Sequence, residues 1–160
     1  MSKRTARGGF TLIEILVVVT VMGIIFGLGI TSYRAFDNRR KVEEAALDFG
    51  TTLRETQKKA DSGVKPSTCL NPLIGYQISV VGSPTADAME YTQCPPSWPL
   101  FNLLTLHYNA LFMDDLSVVF LTTGRGVIVS DGVTVISDQA GSAQFKVSVD
   151  PGGAIMVEKI

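Results

Sequence analysis

Residues 8–30 read GGFTLIEILVVVTVMGIIFGLGI, and this stretch decides how the chain is organised. Its apolar part, residues 10–30, contains one charged side chain, Glu14. An α-helix of that length would span roughly 31 Å, which is close to the hydrocarbon thickness of a bilayer. A secretory signal peptide fits less well, because the apolar run is too long and no small-x-small cleavage site follows it. The stretch therefore predicts a transmembrane helix.

Glu14 is the unusual residue of this helix. An ionised carboxylate is costly in hydrocarbon, so it needs a partner charge or access to water. Cleavage between Gly9 and Phe10 would create an α-ammonium group four residues before Glu14, about one helical turn away. The two groups would then neutralise each other, within one chain or between neighbouring chains. The structural alternative is a carboxylate that lies near the membrane interface and reaches water.

The residues around the cut carry a resemblance to a known family. Residues 8–16, GGFTLIEIL, closely resemble the prepilin cleavage and methylation motif of type IV pilins and pseudopilins, and the strong match covers residues 3–30. The resemblance implies that a prepilin peptidase cuts after Gly9 on the cytoplasmic side and N-methylates Phe10. It also implies that Glu14 acts in subunit registration and assembly.

The chain departs from many type IV pilins at one position. Those proteins carry a proline where this chain has Thr31. Any kink would therefore have to arise at the glycines of the apolar run, Gly23, Gly27 or Gly29. Gly23 and Gly27 also form a small-xxx-small pair, which is either a helix contact or ordinary membrane-helix glycine.

The pattern and the resemblance together predict four segments. Residues 1–9 are the leader, 10–30 the transmembrane and filament-core helix, 31–62 its amphipathic continuation, and 63–160 an extracytoplasmic β-rich head. The continuation is predicted from apolar residues at helical spacing, and its end from Asp61-Ser62-Gly63 and Pro66.

The head alternates in the manner of short strands. We expect strands at residues 74–81, 101–108, 116–122, 127–130, 133–136, 143–149 and 154–159, and a loop at 91–99. Asp131-Gly132 is a hairpin signal between two of these strands. The fold class is therefore α+β: one long N-terminal helix packed on a C-terminal antiparallel β-sheet. This order also resembles the pilin fold, and the head loosely resembles FimT-like proteins and minor pseudopilins.

The net charge and the two cysteines of the head indicate its binding properties and its compartment. After residue 62 the chain has four basic and eight acidic side chains, so the head is net negative and lacks the basic patch expected for nucleic-acid binding. Cys69 and Cys94 would form a disulfide in an oxidising compartment, contributing roughly 3 kcal/mol in the chain-entropy model. The alternative is two unpaired thiols.

No catalytic constellation is present in the sequence. The chain has a single histidine and lacks the GxSxG, HExxH and P-loop motifs. Asp114-Asp115 is typical of a turn rather than a metal site. We therefore predict no enzyme activity, no metal and no cofactor.

The resemblance predicts a structural subunit of a type IV pilus-like filament or a type II secretion pseudopilus. Its partners would be a prepilin peptidase, other pilin or pseudopilin subunits, an inner-membrane assembly platform and the lipid bilayer. The chain would cross the cytoplasmic (inner) membrane once, with the leader in the cytoplasm and the head periplasmic or at the cell surface. The alternative is an uncleaved, single-pass binding module that keeps residues 1–9.

Overall fold

The computed structural model describes residues 11–67, 69–95 and 100–160, with side chains for all of these except 28–32, 35, 100 and 101. One helix, α1 (Leu12–Ser62), is followed by a β-rich region, which confirms the α+β architecture. The chain separates into two compact units, with the boundary between Asp37 and Asn38. The helix therefore contributes residues to both units.

The second unit is built on the part of α1 that carries apolar residues at helical spacing. Val42, Ala46, Phe49 and Leu53 are all buried, and each follows the last by three or four residues. The helix ends as the sequence predicts, because Gly63 adopts a positive φ of 63° and its N–H donates to the Ala60 carbonyl (3.0 Å). This left-handed residue is the common way of closing a helix.

The described strands form two sheets in which all neighbours are antiparallel. In chain order the strands are β1 (Gly75–Val80), β2 (Asp87–Gln93), β3 (Leu100–Thr105), β4 (Leu111–Phe112), β5 (Leu116–Leu121), β6 (Val127–Asp131), β7 (Val133–Ser137), β8 (Gln144–Val149) and β9 (Ile155–Lys159). The first sheet has the order β3-β2-β1-β5-β6, and the second has the order β4-β7-β8-β9. The sequence predicted antiparallel strands after the helix and left their topology open, and the structure divides them between these two sheets.

A single buried cluster joins the helix to both sheets. Tyr76, Ile78 and Val80 of β1 pair with Phe120, Val118 and Leu116 of β5, and all six are buried. They share one face because side chains alternate along a strand. Phe49 of the helix meets Phe112 of β4 edge-to-face, with ring centroids 4.8 Å apart. Burial of this cluster is the dominant stabilising contribution in the second unit.

The prediction of a hairpin at Asp131-Gly132 is wrong. β6 pairs with β5 and β7 pairs with β8, so the two strands on either side of Gly132 belong to different sheets. Gly132 has no Cβ, and this allows its backbone to lie close to the backbone of Val149 in β8. A Cβ at this position would lie 2.5 Å from the Val149 carbonyl oxygen, and the Val149 N–H donates to the Gly132 carbonyl (2.7 Å). The dipeptide marks a crossing between sheets.

β2 occupies part of the region predicted as the loop 91–99. Its inward-facing residues are Ala88, Glu90 and Thr92. Because two of these side chains are polar, the sequence of β2 lacks the alternation of apolar and polar residues that predicts a strand. Residues 96–99 of the predicted loop lie outside the described residues. The other expected strands are present with boundaries shifted by a few residues, and the two-residue β4 was missed.

Candidate functional site

The helix begins with a side-chain cap. Thr11 directly precedes Leu12, the first residue of α1, and the Glu14 N–H donates to Thr11 Oγ1 (3.3 Å) and to the Thr11 carbonyl (3.1 Å). Thr11 therefore satisfies a backbone donor that the helix itself leaves unpaired. The spacing Thr11-x-x-Glu14 is that of a capping box. This role of Thr11 was missed, although the four-residue pattern was available in the sequence.

Glu14 lies in the first turn of α1, where a negative charge interacts favourably with the helix dipole. The resemblance predicted a role for Glu14 in assembly, and its position in the first turn adds a local contribution to the start of the helix. Gly9 and Phe10, the predicted cleavage and methylation residues, lie outside the described residues. Of the predicted ion pair between the Phe10 amino group and Glu14, the structure therefore describes only Glu14.

The apolar side chains that follow Glu14 are exposed on every side of the helix. All described residues from 11 to 27 are exposed, including Leu12 at 84% and Phe26 at 69%. The exposed large apolar residues of this segment are Leu12, Ile13, Ile15, Leu16, Val17, Val18, Val19, Val21, Met22, Ile24, Ile25 and Phe26. Contiguous exposed apolar surface of this extent marks an interaction site for protein or membrane.

Thr20 is the polar side chain in the middle of this apolar segment, and it is satisfied within its own helix. Its hydroxyl lies 2.8 Å from the Val17 carbonyl and 3.0 Å from the Leu16 carbonyl. A hydroxyl paired in this way can enter apolar surroundings without leaving a donor unsatisfied. Gly23 and Gly27 have open space where a Cβ would lie, so they leave shallow places on the helix surface.

Within the described residues, no helix is both long enough and apolar enough to cross a membrane.

A second polar cluster lies where the end of α1 meets the first sheet. Glu90 of β2 is 1% exposed, and it accepts hydrogen bonds from Thr56 Oγ1 (3.0 Å) and Lys59 Nζ (3.2 Å). The Tyr76 hydroxyl donates to the Val64 carbonyl (2.6 Å). Burial, and then the neighbouring Glu90 charge, raise the pKa of Tyr76 above its ordinary value of 10.0. The sequence did not indicate this cluster, because its members are far apart along the chain.

Cys69 and Cys94 form a disulfide with Cα atoms 5.7 Å apart, and both residues are buried. The structure thus decides between the two alternatives left open by the sequence. The disulfide links Cys69, in the segment after α1, to Cys94, which directly follows β2. Glu90 connects β2 to α1 itself, so the two features attach different parts of the chain to the region of β2.

Of the adjacent acids Asp114 and Asp115, Asp115 hydrogen-bonds to Ser83 in the loop that follows β1. Asp115 Oδ1 accepts from the Ser83 hydroxyl (2.7 Å) and the Ser83 N–H (3.1 Å). These hydrogen bonds lower the pKa of Asp115 below its ordinary value of 3.8, with the Ser83 hydroxyl as the largest cause. Over the described ranges 11–67, 69–95 and 100–160, no group of three or more His, Cys, Asp or Glu residues could hold a metal ion.

Comparison with known proteins identifies the N-terminal segment. Residues 4–30 match the family model of the prokaryotic N-terminal methylation motif. No solved structure gives a significant match to the chain. The matched residues include the described cap at Thr11, the first-turn Glu14 and the exposed apolar helix. The chain thus carries the N-terminal methylation motif that is the signature of type IV pilins and pseudopilins.

Proposed function

We propose that the chain is a structural subunit of a type IV pilus-like or type II secretion pseudopilus filament, assembled through its N-terminal helix. The observation that carries this proposal is the combination of the methylation motif with an apolar helical segment whose described side chains are all exposed. A head with its own buried core does not need that segment for folding. The segment is therefore available for lipid and for other subunits.

The precursor would first insert into the cytoplasmic membrane through residues 10–30. The exposed aromatic residues Tyr33 and Phe36 follow the apolar run, and Arg34 lies between them. Aromatic and basic side chains of this kind favour the boundary between hydrocarbon and water. The resemblance to type IV pilins implies that residues 1–9 would then face the cytoplasm and that the head would lie outside. The Cys69–Cys94 disulfide agrees with an oxidising compartment for the head.

Prepilin peptidase would then cut after Gly9 and methylate the new amino group of Phe10. Glu14 would pair with that ammonium group on a neighbouring subunit. The two charges attract more strongly in an apolar filament core than in water, because the effective dielectric constant is lower. The pairing would thus select subunits that have been cut and would set their register.

The partners in this proposal are prepilin peptidase, an inner-membrane assembly platform and other pilin or pseudopilin subunits. Two machines fit the same chain. A surface pilus would be retracted and would appear as fibres outside the cell. A secretion pseudopilus would be required for export of an enzyme, and deletion of this chain would stop that export. The net negative head favours neither machine and gives no support to direct capture of nucleic acid.

The proposal is tested by the intact mass and N-terminal sequence of the protein recovered from its own cells. We expect a chain that begins at N-methylated Phe10. A Gly9→Val variant should retain residues 1–9 and stay out of filaments, whereas the matched Gly8→Ala variant should still be cut. A native chain that begins at Met1 would instead support the uncleaved, single-pass binding module.

A further inference from the structure

We propose that the outer edge of β3, with the groove between β3 and α1, binds an extended segment of another protein as an additional strand of the first sheet. The segment would turn apolar side chains toward α1 and would carry one lysine or arginine on the same face. We call this surface the β3 groove. It lies entirely within the second unit, and the inference does not depend on filament assembly.

The outer edge of β3 presents backbone groups that can pair with a further strand. β3 is an end strand of the first sheet, and no described strand pairs with its other edge. The Leu106 N–H donates to the Ala86 carbonyl (2.7 Å) and continues the register of β3 with β2. In an antiparallel pair, residues that bond to the neighbour alternate with residues that point away. The N–H and C=O groups of Leu103 and Thr105 are therefore directed outward.

Two other sheet edges are closed by contacts within the chain. At the outer edge of β4, Phe112 and Thr85 exchange two backbone hydrogen bonds (3.1 and 2.7 Å). At β9, Arg54 Nη2 donates to the Ile155 carbonyl (3.2 Å). Across residues 11–67, 69–95 and 100–160, no such contact engages the outward groups of β3. An edge strand that is neither paired nor covered is a template for strand addition.

The groove beside this edge supplies an apolar surface for alternate side chains. Its cavity volume is about 370 Å³, with residues 103–107 on one side and the α1 residues Ala45 and Phe49 on the other. Phe112 also lines it, and all three of these named residues are buried. Strand addition uses main-chain hydrogen bonds for affinity and pockets for every second side chain for specificity. The β3 groove offers both features side by side.

Asp48 determines which charge a bound segment should carry. Its exposed side chain lines the groove, and within the described residues no ion pair or side-chain hydrogen bond engages its carboxylate. After residue 62 the chain is also net negative, with four basic and eight acidic side chains. A lysine or arginine in the segment would complement this charge, whereas an acidic segment would be repelled.

The test uses the full-length chain in detergent and a fluorescently labelled nine-residue peptide. Threonine occupies every second position of the peptide, and three valines and one lysine lie between the threonines. We expect saturable binding with a Kd below about 1 mM, measured by fluorescence anisotropy. An absence of saturable binding up to that concentration would overturn the inference.

Two N-methylated peptides separate strand addition from simple binding of apolar side chains to the groove or to detergent. One is methylated on two threonine amides and the other on two amides of the intervening residues, so their apolar content is the same. Alternate N–H groups of a strand point to opposite sides. One form should therefore bind like the parent peptide, and the other about tenfold more weakly. Equal affinities of the two forms would overturn strand addition.

A matched pair of substitutions at Leu103 tests the edge itself. Leu103→Pro removes one outward N–H and keeps the hydrogen bonds to β2, because proline is tolerated on an edge strand where its nitrogen faces solvent. Leu103→Ala keeps that N–H and truncates the same exposed side chain. We expect Leu103→Pro to weaken binding of the parent peptide about fivefold and Leu103→Ala by less than about twofold. Equal weakening by both would contradict pairing along β3.

The charge preference is tested at Asp48. Asp48→Asn should weaken binding of the lysine peptide about threefold and should not change binding of a peptide with norleucine in place of lysine. Glu55→Gln is the matched control, since it removes a carboxylate from an exposed position of α1 that does not line the groove. An equal effect of Asp48→Asn on both peptides, or an equal effect of Glu55→Gln, would overturn the preference for a basic segment. Cleavage after Gly9 and filament recovery test the proposed function separately from these binding measurements.

Discussion

The two described parts of α1 differ in what covers them. Residues 11–27 are exposed on every side although they are almost entirely apolar. Residues 42–60 are mixed in composition, and they bury one stripe of apolar residues and expose the rest. One helix therefore meets the requirement to bury apolar surface in two ways. The later part buries its apolar residues inside the chain, and the earlier part leaves them exposed.

This difference separates folding from assembly. Substitutions in the buried stripe should change the free energy of unfolding of the second unit. Substitutions in the exposed apolar segment should change membrane insertion or filament recovery and leave that free energy unaltered.

The largest effect is expected at Glu14. Glu14→Ala should lower the amount of subunit in filaments roughly tenfold or more, because the ammonium of a neighbouring Phe10 would lose its partner in an apolar environment. Cleavage after Gly9 and the urea midpoint of the second unit should not change. The measurement is quantitative immunoblotting of sheared filaments. Thr11→Ala is the control, because it removes only the side-chain cap; equal losses from both variants would assign Glu14 to the cap instead.

The buried stripe should respond to a matched pair of leucine truncations. Leu53 is 0% exposed and Leu16 is 56% exposed. Leu53→Ala should reduce the free energy of unfolding by about 2–5 kcal/mol because it leaves a cavity. Leu16→Ala should change it by less than about 0.5 kcal/mol. Urea titration of the full chain in detergent, followed by circular dichroism, compares them. A large loss from Leu16→Ala would mean that the first segment packs on the head.

The Glu90 cluster should show an intermediate effect. Lys59→Met removes the cation that donates to the buried Glu90 carboxylate, whose other donor is Thr56. The Lys59 side chain is 37% exposed, so solvent screens the pair, and we expect a loss of roughly 1–3 kcal/mol. Glu90→Gln should cost less, since it keeps an acceptor for Thr56 without a buried charge. The reverse order in urea titrations would contradict this account of the cluster.

The smallest effect is expected at Asp115. Its pKa is lowered in the folded state, so its contribution to stability is present above the ordinary value of 3.8 and is lost as pH falls through the folded-state pKa. Ser83→Ala removes the hydroxyl that is the largest cause, and the Asp115 pKa should then rise toward 3.8. A carboxyl-carbon NMR titration of both proteins measures the change. The same pKa in both would show that the Ser83 hydroxyl does not hold this loop.

The prediction of the helix and of its motif from sequence succeeded because both are local. Helical spacing of Val42, Phe49 and Leu53 and the turn at Gly63 depend on neighbours a few residues away. The methylation motif likewise occupies consecutive residues. Most strand positions also followed from alternation and turn residues. Processing at Gly9 and Phe10 stays a prediction, since neither residue is described.

The pairing of the strands into sheets could not be predicted from neighbouring residues. Gly132 follows an aspartate in a common hairpin dipeptide, yet its neighbours Asp131 and Val133 belong to different sheets. The choice depends on hydrogen bonds to β5 and β8, which lie well before and after it along the chain. Local turn chemistry is similar for both outcomes, so only the pairing of distant strands decides between them.

The sequence by itself determined that this chain has a long helix with an apolar, singly charged beginning and a processing motif in front of it, because these features are written in consecutive residues. Tertiary structure alone decided that β2 turns Glu90 inward to meet Thr56 and Lys59, and that the β-region divides into two sheets. The physical reason is that burial depends on which distant segments pack together, and composition does not specify that choice.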